Sequence, residues 1–161
     1  MAINNGKEKT IIVNRKAFLD FNIHQRLEAG IALTGTEVKS AKDRKISLRE
    51  GFCFMKSGEL WLKNVHIAQY PFGNRLNHDP LRERKLLLHR AEIDKLKVKL
   101  REKGFTLIPL RVYVNRGRIK VELGLASGKR QFDKRDAIRR KDEKRELGRD
   151  FKASDLTGKL K

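Results

Sequence analysis

Cys53 is the single cysteine in a chain of 161 residues, which excludes an internal disulfide. The four histidines, His24, His66, His78 and His89, fall far apart and show no metal-ligand spacing, so no metal site is expected. Long apolar runs are missing too: no stretch approaches the 18 or so uninterrupted apolar residues of a membrane-spanning helix, and no membrane association is expected. The opening segment MAINNGKEKT lacks the apolar region of a secretory signal, so the chain is expected to stay in the cytoplasm. No glycine-rich phosphate loop of the Walker or dinucleotide type occurs, no internal repeat is visible, and no nucleotide or other cofactor is implied.

Negative charge is the other scarcity. Against 39 Lys and Arg stand only 20 Asp and Glu, a formal charge of +19. That excess is more than solubility requires and favours a polyanionic partner, most often nucleic acid. Residues 1–128 contain 26 basic and 13 acidic side chains among abundant Ile, Leu, Val and Phe. Residues 129–161 contain 13 and 7, with few apolar residues to offset the entropy of ordering. A boundary near Gly128 therefore separates a core-forming region, 1–128, from a basic tail, 129–161, expected to be disordered alone.

The core-forming region reads mainly as strands. Thr10–Val13, Phe18–Ile23, Ser47–Met55, Glu59–Ile67 and Phe105–Val114 are strand candidates, and Lys56-Ser57-Gly58 is a hairpin turn. Ile119, Val121, Leu123 and Leu125 alternate with Arg118, Lys120, Glu122 and Gly124, the period of a half-buried strand. Asn115-Arg116-Gly117 supplies the turn before it, and Pro109 predicts an edge or a bulge in the preceding strand. Asp79-Pro80 looks like a helix start, with Leu86, Ile93, Leu96 and Leu100 on one face and Gly104 as the stop. A short helix is expected at Glu37–Lys42. The sum is an OB-type antiparallel β-barrel with inserted helices, a fold that removes sheet edges and commonly binds nucleic acid.

Two motifs have bland readings. Glu50-Gly51-Phe52-Cys53-Phe54-Met55 is like part of the RNP1 strand of an RNA-recognition motif, but Glu50 and Ser57 depart from that pattern at its ends. Phe52 and Phe54 therefore read as core residues of a strand. Glu37-Val38-Lys39 with Asp20 upstream could form half of a metal-dependent nuclease site, yet no second carboxylate falls in frame, and Glu37 reads as a helix-start acid.

The basic residues carry more. Arg82, Arg84 and Lys85 cluster at the start of the expected helix, where the dipole disfavours cations unless an anion is near. Lys129-Arg130, Lys134-Arg135 and Arg139-Arg140-Lys141 surround one aromatic, Phe132, a combination able to contact phosphates and stack on a base. Asp136 with Arg140, Asp142 with Arg145 and Glu146 with Arg149 have near-helical pair spacing, so the tail is expected to become helical when docked, with Gly148 as an interruption.

Several runs, in order, resemble one family. These are Asn14-Arg15-Lys16-Ala17, Glu28-Ala29-Gly30-Ile31, Gly35-Thr36-Glu37-Val38-Lys39-Ser40, Arg84-Lys85-Leu86-Leu87-Leu88, and Gly128-Lys129 with Asp133-Lys134-Arg135. Together they are similar to the SsrA-binding protein (small protein B) family, bacterial partners of transfer-messenger RNA in trans-translation. The resemblance implies a non-enzymatic adaptor with no cofactor. It would bind the tRNA-like domain of transfer-messenger RNA and deliver it to stalled ribosomes, elongation factor Tu acting indirectly through the RNA. The tail would enter the empty mRNA channel and report to the decoding centre.

By position, Asn14, Glu28 and Leu87 match residues that the family links to RNA binding, with Arg15, Lys16, Lys39, Arg82, Arg84, Lys85, Lys129 and Arg130 as accompanying cations. Glu28 either accepts from base or 2′-OH donors, orients a basic neighbour, or forms a structural salt bridge. Leu87 suits an unstacked base, but the apolar face of the expected helix is the preferred reading. Asp133, Lys134 and Arg135 match the tail motif associated with ribosomal function, joined by Arg139, Arg140, Lys141 and Arg145. Phe132 stands where relatives often have histidine, so stacking survives there and a ring N–H bond does not. A free monomer is expected. The rival readings are a structural ribosomal protein with a basic extension threading rRNA, and a ribonuclease using Glu37 and Lys39.

Overall fold

The computed structural model describes residues 8–157, with the side chains of 131–132 and 147–157 left aside. The described residues fall into two compact units that divide between Gly128 and Lys129.

The first unit is an antiparallel barrel. In chain order it contains β1 (Lys9–Val13), α1 (Arg15–Asp20), β2 (Phe21–Ile31), α2 (Gly35–Lys42), β3 (Ile46–Ser47), β4 (Phe52–Lys56), β5 (Glu59–Lys63), β6 (His66–Ile67), β7 (Arg84–Leu87), α3 (Arg90–Arg101), β8 (Phe105–Asn115) and β9 (Arg118–Gly128). The large sheet runs β1-β8-β4-β5-β7-β2-β9, and pairing of β8 with β9 closes the ring. Closure leaves few free edges, as the OB-type expectation requires. Leu60, Leu62, Leu86, Leu107, Val121 and Leu123 meet inside with essentially no exposed surface.

The alternating segment forms β9 as expected, and its hairpin with β8 turns through Arg116 and Gly117, both at positive φ. Ser57 and Gly58 make the same kind of turn between β4 and β5. Pro109 sits where the β8–β9 register slips, the bulge that its missing N–H demands. No helix among the described residues is long and apolar enough to cross a membrane.

Within the barrel three expectations fail. The long helix from Asp79 to Gly104 is confined to α3, because residues 84–87 instead form β7 between β5 and β2. Asp79 caps only a turn, its Oδ1 accepting from the Leu81 amide. Phe18–Ile23 is not one strand: Asn14 Oδ1 accepts from the Ala17 amide and starts α1, which ends where β2 begins. The strands drawn across Ser47–Met55 and Glu59–Ile67 are each interrupted, with Ile46–Ser47 pairing to His66–Ile67 in a separate small sheet.

The second unit is α4 (Gln131–Thr157), a helix of 27 residues. It runs through Gly148 without a break, contrary to the expected interruption. A mid-helix glycine costs only about 1 kcal/mol relative to alanine. Asp133 favours the helix start, and Arg139 pairs with Glu143 one turn on at 3.2 Å.

Candidate nucleic-acid interface

A cleft of about 1120 Å³ lies where the outer face of β2, the end of β7 and one side of α3 meet. Its walls combine apolar groups (Leu27, Leu87, Val98) with cations (Arg26, Lys95, Lys99, Lys120) and the carboxylates of Glu28, Glu92 and Glu102. Leu87 is 52 % exposed, and Val98 is exposed as well. Leu87 lies opposite Gly30 in the β2–β7 register. A methyl group at Gly30 would sit 3.1 Å from Leu87 Cβ, so glycine there lets the leucine lie across β2. The leucine therefore faces the cleft from a strand, which corrects its reading as part of a helix's apolar face.

Glu28 anchors the far side. Its carboxylate accepts from the Tyr113 hydroxyl and from the Lys120 ammonium, joining β2, β8 and β9. Burial pushes the Glu28 carboxyl up, but those two hydrogen bonds outweigh it and hold the carboxyl below its usual range. Burial and the neighbouring carboxylate push the Tyr113 phenol up, so it stays a donor. Glu28 thus fixes Lys120 beside the cleft while keeping part of its own surface open. Of the choices left by the sequence, this pairing fits both an oriented basic neighbour and a structural salt bridge. Lys99 bridges from α3 to Gln25 on β2 at 2.8 Å.

Two of the expected contact residues are interior. Asn14 is buried, its amide nitrogen donating to the carbonyls of Leu48 and Pro109, both at 3.0 Å. Arg84 is fully buried, its guanidinium donating to Glu37 Oε1, Val65 O and Pro80 O. Arg82 is held by the same carboxylate, Nε on Oε1 at 2.8 Å and Nη2 on Oε2 at 2.6 Å. Glu37 is the unseen anion near this basic cluster, so Arg84 supports the surface from beneath while Arg82, held by the same carboxylate, stays partly exposed. With both Glu37 oxygens so engaged, the carboxylate cannot also serve as a metal ligand. This removes the nuclease reading from the residues that suggested it.

The remaining residues spread over the barrel. Arg15 and Lys16 are exposed on α1, with Lys16 paired to Glu50 at 2.8 Å. Lys39 lies 5.2 Å over the Tyr70 ring on α2, and Lys85 pairs with Glu59 at 2.6 Å on β7 beside the cleft. In the second unit Arg130, Asp133, Arg135, Arg139, Arg140 and Arg145 are exposed, Lys129, Lys134 and Lys141 partly so. The Phe132 side chain lies outside the described residues. Sequence reasoning missed Lys120, Tyr113, Gly30 as a seat for Leu87, and the α3 cations. Lys120 was open to discovery, since it alternates outward along β9, but nothing local pointed to its partner on β2.

The family model "SmpB protein" matches residues 11–153. This chain belongs to that family. It is 51 % identical to an SsrA-binding protein of Ligilactobacillus salivarius, over 94 % of this chain and 98 % of the relative. It is 54 % identical to an SsrA-binding protein of Geobacter sulfurreducens, over 87 % and 92 % of the two chains. A solved structure described as "tmRNA-SmpB: a journey to the center of the bacterial ribosome" is similar at a TM-score of 0.64 and 48 % identity, covering 80 % of this chain and 94 % of that one.

Proposed function

We propose that this SmpB-family chain binds transfer-messenger RNA through its barrel and brings it to stalled ribosomes in trans-translation. The observation that carries the reading is the Leu87–Glu28–Lys120 arrangement. An exposed leucine on a glycine seat can cover an unstacked base, and a fixed ammonium stands ready for a phosphate across the same cleft. A folded tRNA-like element offers such splayed bases, whereas a regular duplex offers mainly backbone. Lys85, Arg15, Lys16, Lys39, Lys129 and Arg130 add sequence-independent attraction, with Asn14, Arg82 and Arg84 keeping the scaffold in place.

The arm, 129–161, serves the ribosome. With few apolar residues and many charges it has little to pack on by itself, so its helix is stabilised by docking into the vacant mRNA channel. There Asp133, Lys134 and Arg135 meet the decoding centre, Phe132 stacks, and Arg139, Arg140, Lys141 and Arg145 bind rRNA phosphates. The protein acts as a monomer in the cytoplasm, is not an enzyme, and meets elongation factor Tu only through the RNA.

The test is affinity for the isolated tRNA-like domain against unrelated transcripts of equal length at physiological salt. Preference for the tRNA-like domain is expected, and equal affinity for both would refute the reading. Stoichiometric presence on actively translating ribosomes lacking that RNA would instead identify a structural ribosomal component.

A further inference from the structure

The outer face of the β4–β5 hairpin carries a row of rings that the barrel core does not use. Cys53, Leu60 and Leu62 point inward and are buried, so Phe52, Phe54 and Trp61 point outward and remain half-buried. Phe54 stands opposite Trp61 in the register, and the centroids of Phe52 and Phe54 are 6.2 Å apart. This overturns the reading of Phe52 and Phe54 as core residues. Two of the rings have a cation above them: Lys63 lies 5.9 Å from the Phe54 centroid and Lys56 lies 5.5 Å from that of Trp61. Glu83 clamps both lysines, at 3.1 Å from Lys56 and 3.4 Å from Lys63. Lys85 stands opposite Trp61 on the next strand.

We propose that this face is a second RNA surface, a stacking platform for unpaired nucleotides, separate from the Leu87 cleft. Half-exposed rings stack on any base once the ammonium groups lying over them turn to the linking phosphates. A protein partner fits less well, because lysine is depleted at the cores of protein interfaces. A duplex fits less well too, its bases being stacked on one another. Glu83 then acts as a placeholder. Its carboxylate neutralises Lys56 and Lys63 until a phosphate takes its place, so the platform binds weakly and reversibly.

Trp61 is the single tryptophan of the chain, so indole fluorescence reports on this face alone. The full-length protein is titrated with a short oligouridylate and, separately, with a hairpin duplex of equal length. Oligouridylate should quench the emission at physiological salt while the duplex leaves it unchanged. Phe54→Leu, which keeps the side chain apolar but removes the ring, should weaken binding about tenfold. Lys63→Gln should weaken it less and flatten the salt dependence. Glu83→Gln should tighten it, because both lysines are released. Leu87→Ala should leave the quenching untouched, which separates this site from the cleft. Unchanged emission with oligouridylate, equal quenching by the duplex, or indifference to Phe54→Leu and Glu83→Gln would each overturn the proposal. Quenching that grows with protein concentration in the absence of RNA would do so as well, and would identify a second copy as the occupant.

Discussion

Glu37 and Arg84 lie 2.8 Å apart with no exposed side-chain surface, a charge pair sealed between helix α2 and strand β7. Arg82 and the Thr34 amide complete the carboxylate's shell, and Arg84 also satisfies the carbonyls of Val65 and Pro80. Removing one member of such a pair strands the other charge, at a cost of about 3–5 kcal/mol. Glu37→Gln should therefore lower the urea midpoint sharply. Arg84→Lys should do nearly the same, since one ammonium cannot reproduce three directed bonds. RNA affinity measured where each variant is still folded should change little, the outcome that distinguishes a scaffold residue from a contact residue.

The same pair sets an acid limit. Burial pushes the Glu37 carboxyl up, but the bonds from Arg82, Thr34 and Arg84 prevail and bring it from 4.5 down to about 2. The folded value is the lower one, so the stabilisation is fully present above pH 4.5 and is lost as pH falls toward 2. Its size is about 3 kcal/mol. Stability curves between pH 6 and pH 2 should show this decline for the parent chain, and Glu37→Gln should lack that component. Parallel curves for both would contradict the assignment.

Much of the barrel was legible because many of its strands and turns carry local signals: the alternation of β9, the Arg116-Gly117 and Ser57-Gly58 turns, and the bulge at Pro109. The segment from Asp79 to Leu88 was not. Asp79-Pro80 imitates a helix cap, and Leu86 lies seven residues before Ile93, a spacing compatible with a helix. What decides for a strand is pairing on both sides, with β5 and with β2, and a buried arginine whose partner is 47 residues away. The face of Phe52 and Phe54 was illegible for a related reason. With Cys53 and Met55 also apolar, the strand has no polar alternation to distinguish inside from outside.

The Gly30–Leu87 contact isolates the cleft from overall stability. Leu87 is exposed, so Leu87→Ala should leave stability within about 0.5 kcal/mol of the parent. Affinity for the tRNA-like RNA should nevertheless fall several-fold in a gel-shift titration. Gly30→Ala should lower affinity in the same direction but less, because the added methyl 3.1 Å from Leu87 Cβ shifts the leucine by a few tenths of an ångström. Normal affinity in both variants would remove Leu87 from the interface.

Lys120 and Tyr113 both donate to Glu28, so three strands share one carboxylate. Glu28→Gln keeps the size but loses the charge, which frees Lys120 from its fixed position and weakens the acceptor for Tyr113. If Lys120 contacts a phosphate, Lys120→Ala lowers RNA affinity and makes the log–log salt slope shallower by about 0.7–0.9, the contribution of one phosphate. Glu28→Gln should lower affinity while leaving that slope nearly intact, because the cation is still present but no longer positioned. Equal slopes in all three proteins would assign Lys120 to structure alone.

The division at Gly128 yields the most decisive experiment. Gly128 still pairs with Phe21 at the end of the β2–β9 ladder, so a chain ending there keeps its sheet complete. It loses 13 basic and 7 acidic residues, a net of +6 out of +19. If the barrel provides RNA shape recognition and the arm serves only the ribosome, the shortened protein keeps its preference for the tRNA-like domain. Its affinity should decline modestly, by the general attraction that the arm's charge supplies. Peptide tagging on stalled ribosomes should vanish even when RNA binding is saturated by excess protein. Tagging restored simply by raising the protein concentration would mean that the arm contributes affinity and nothing more. Loss of the RNA preference itself would mean that the arm is part of the RNA site, and that the two units cannot be assigned separate tasks.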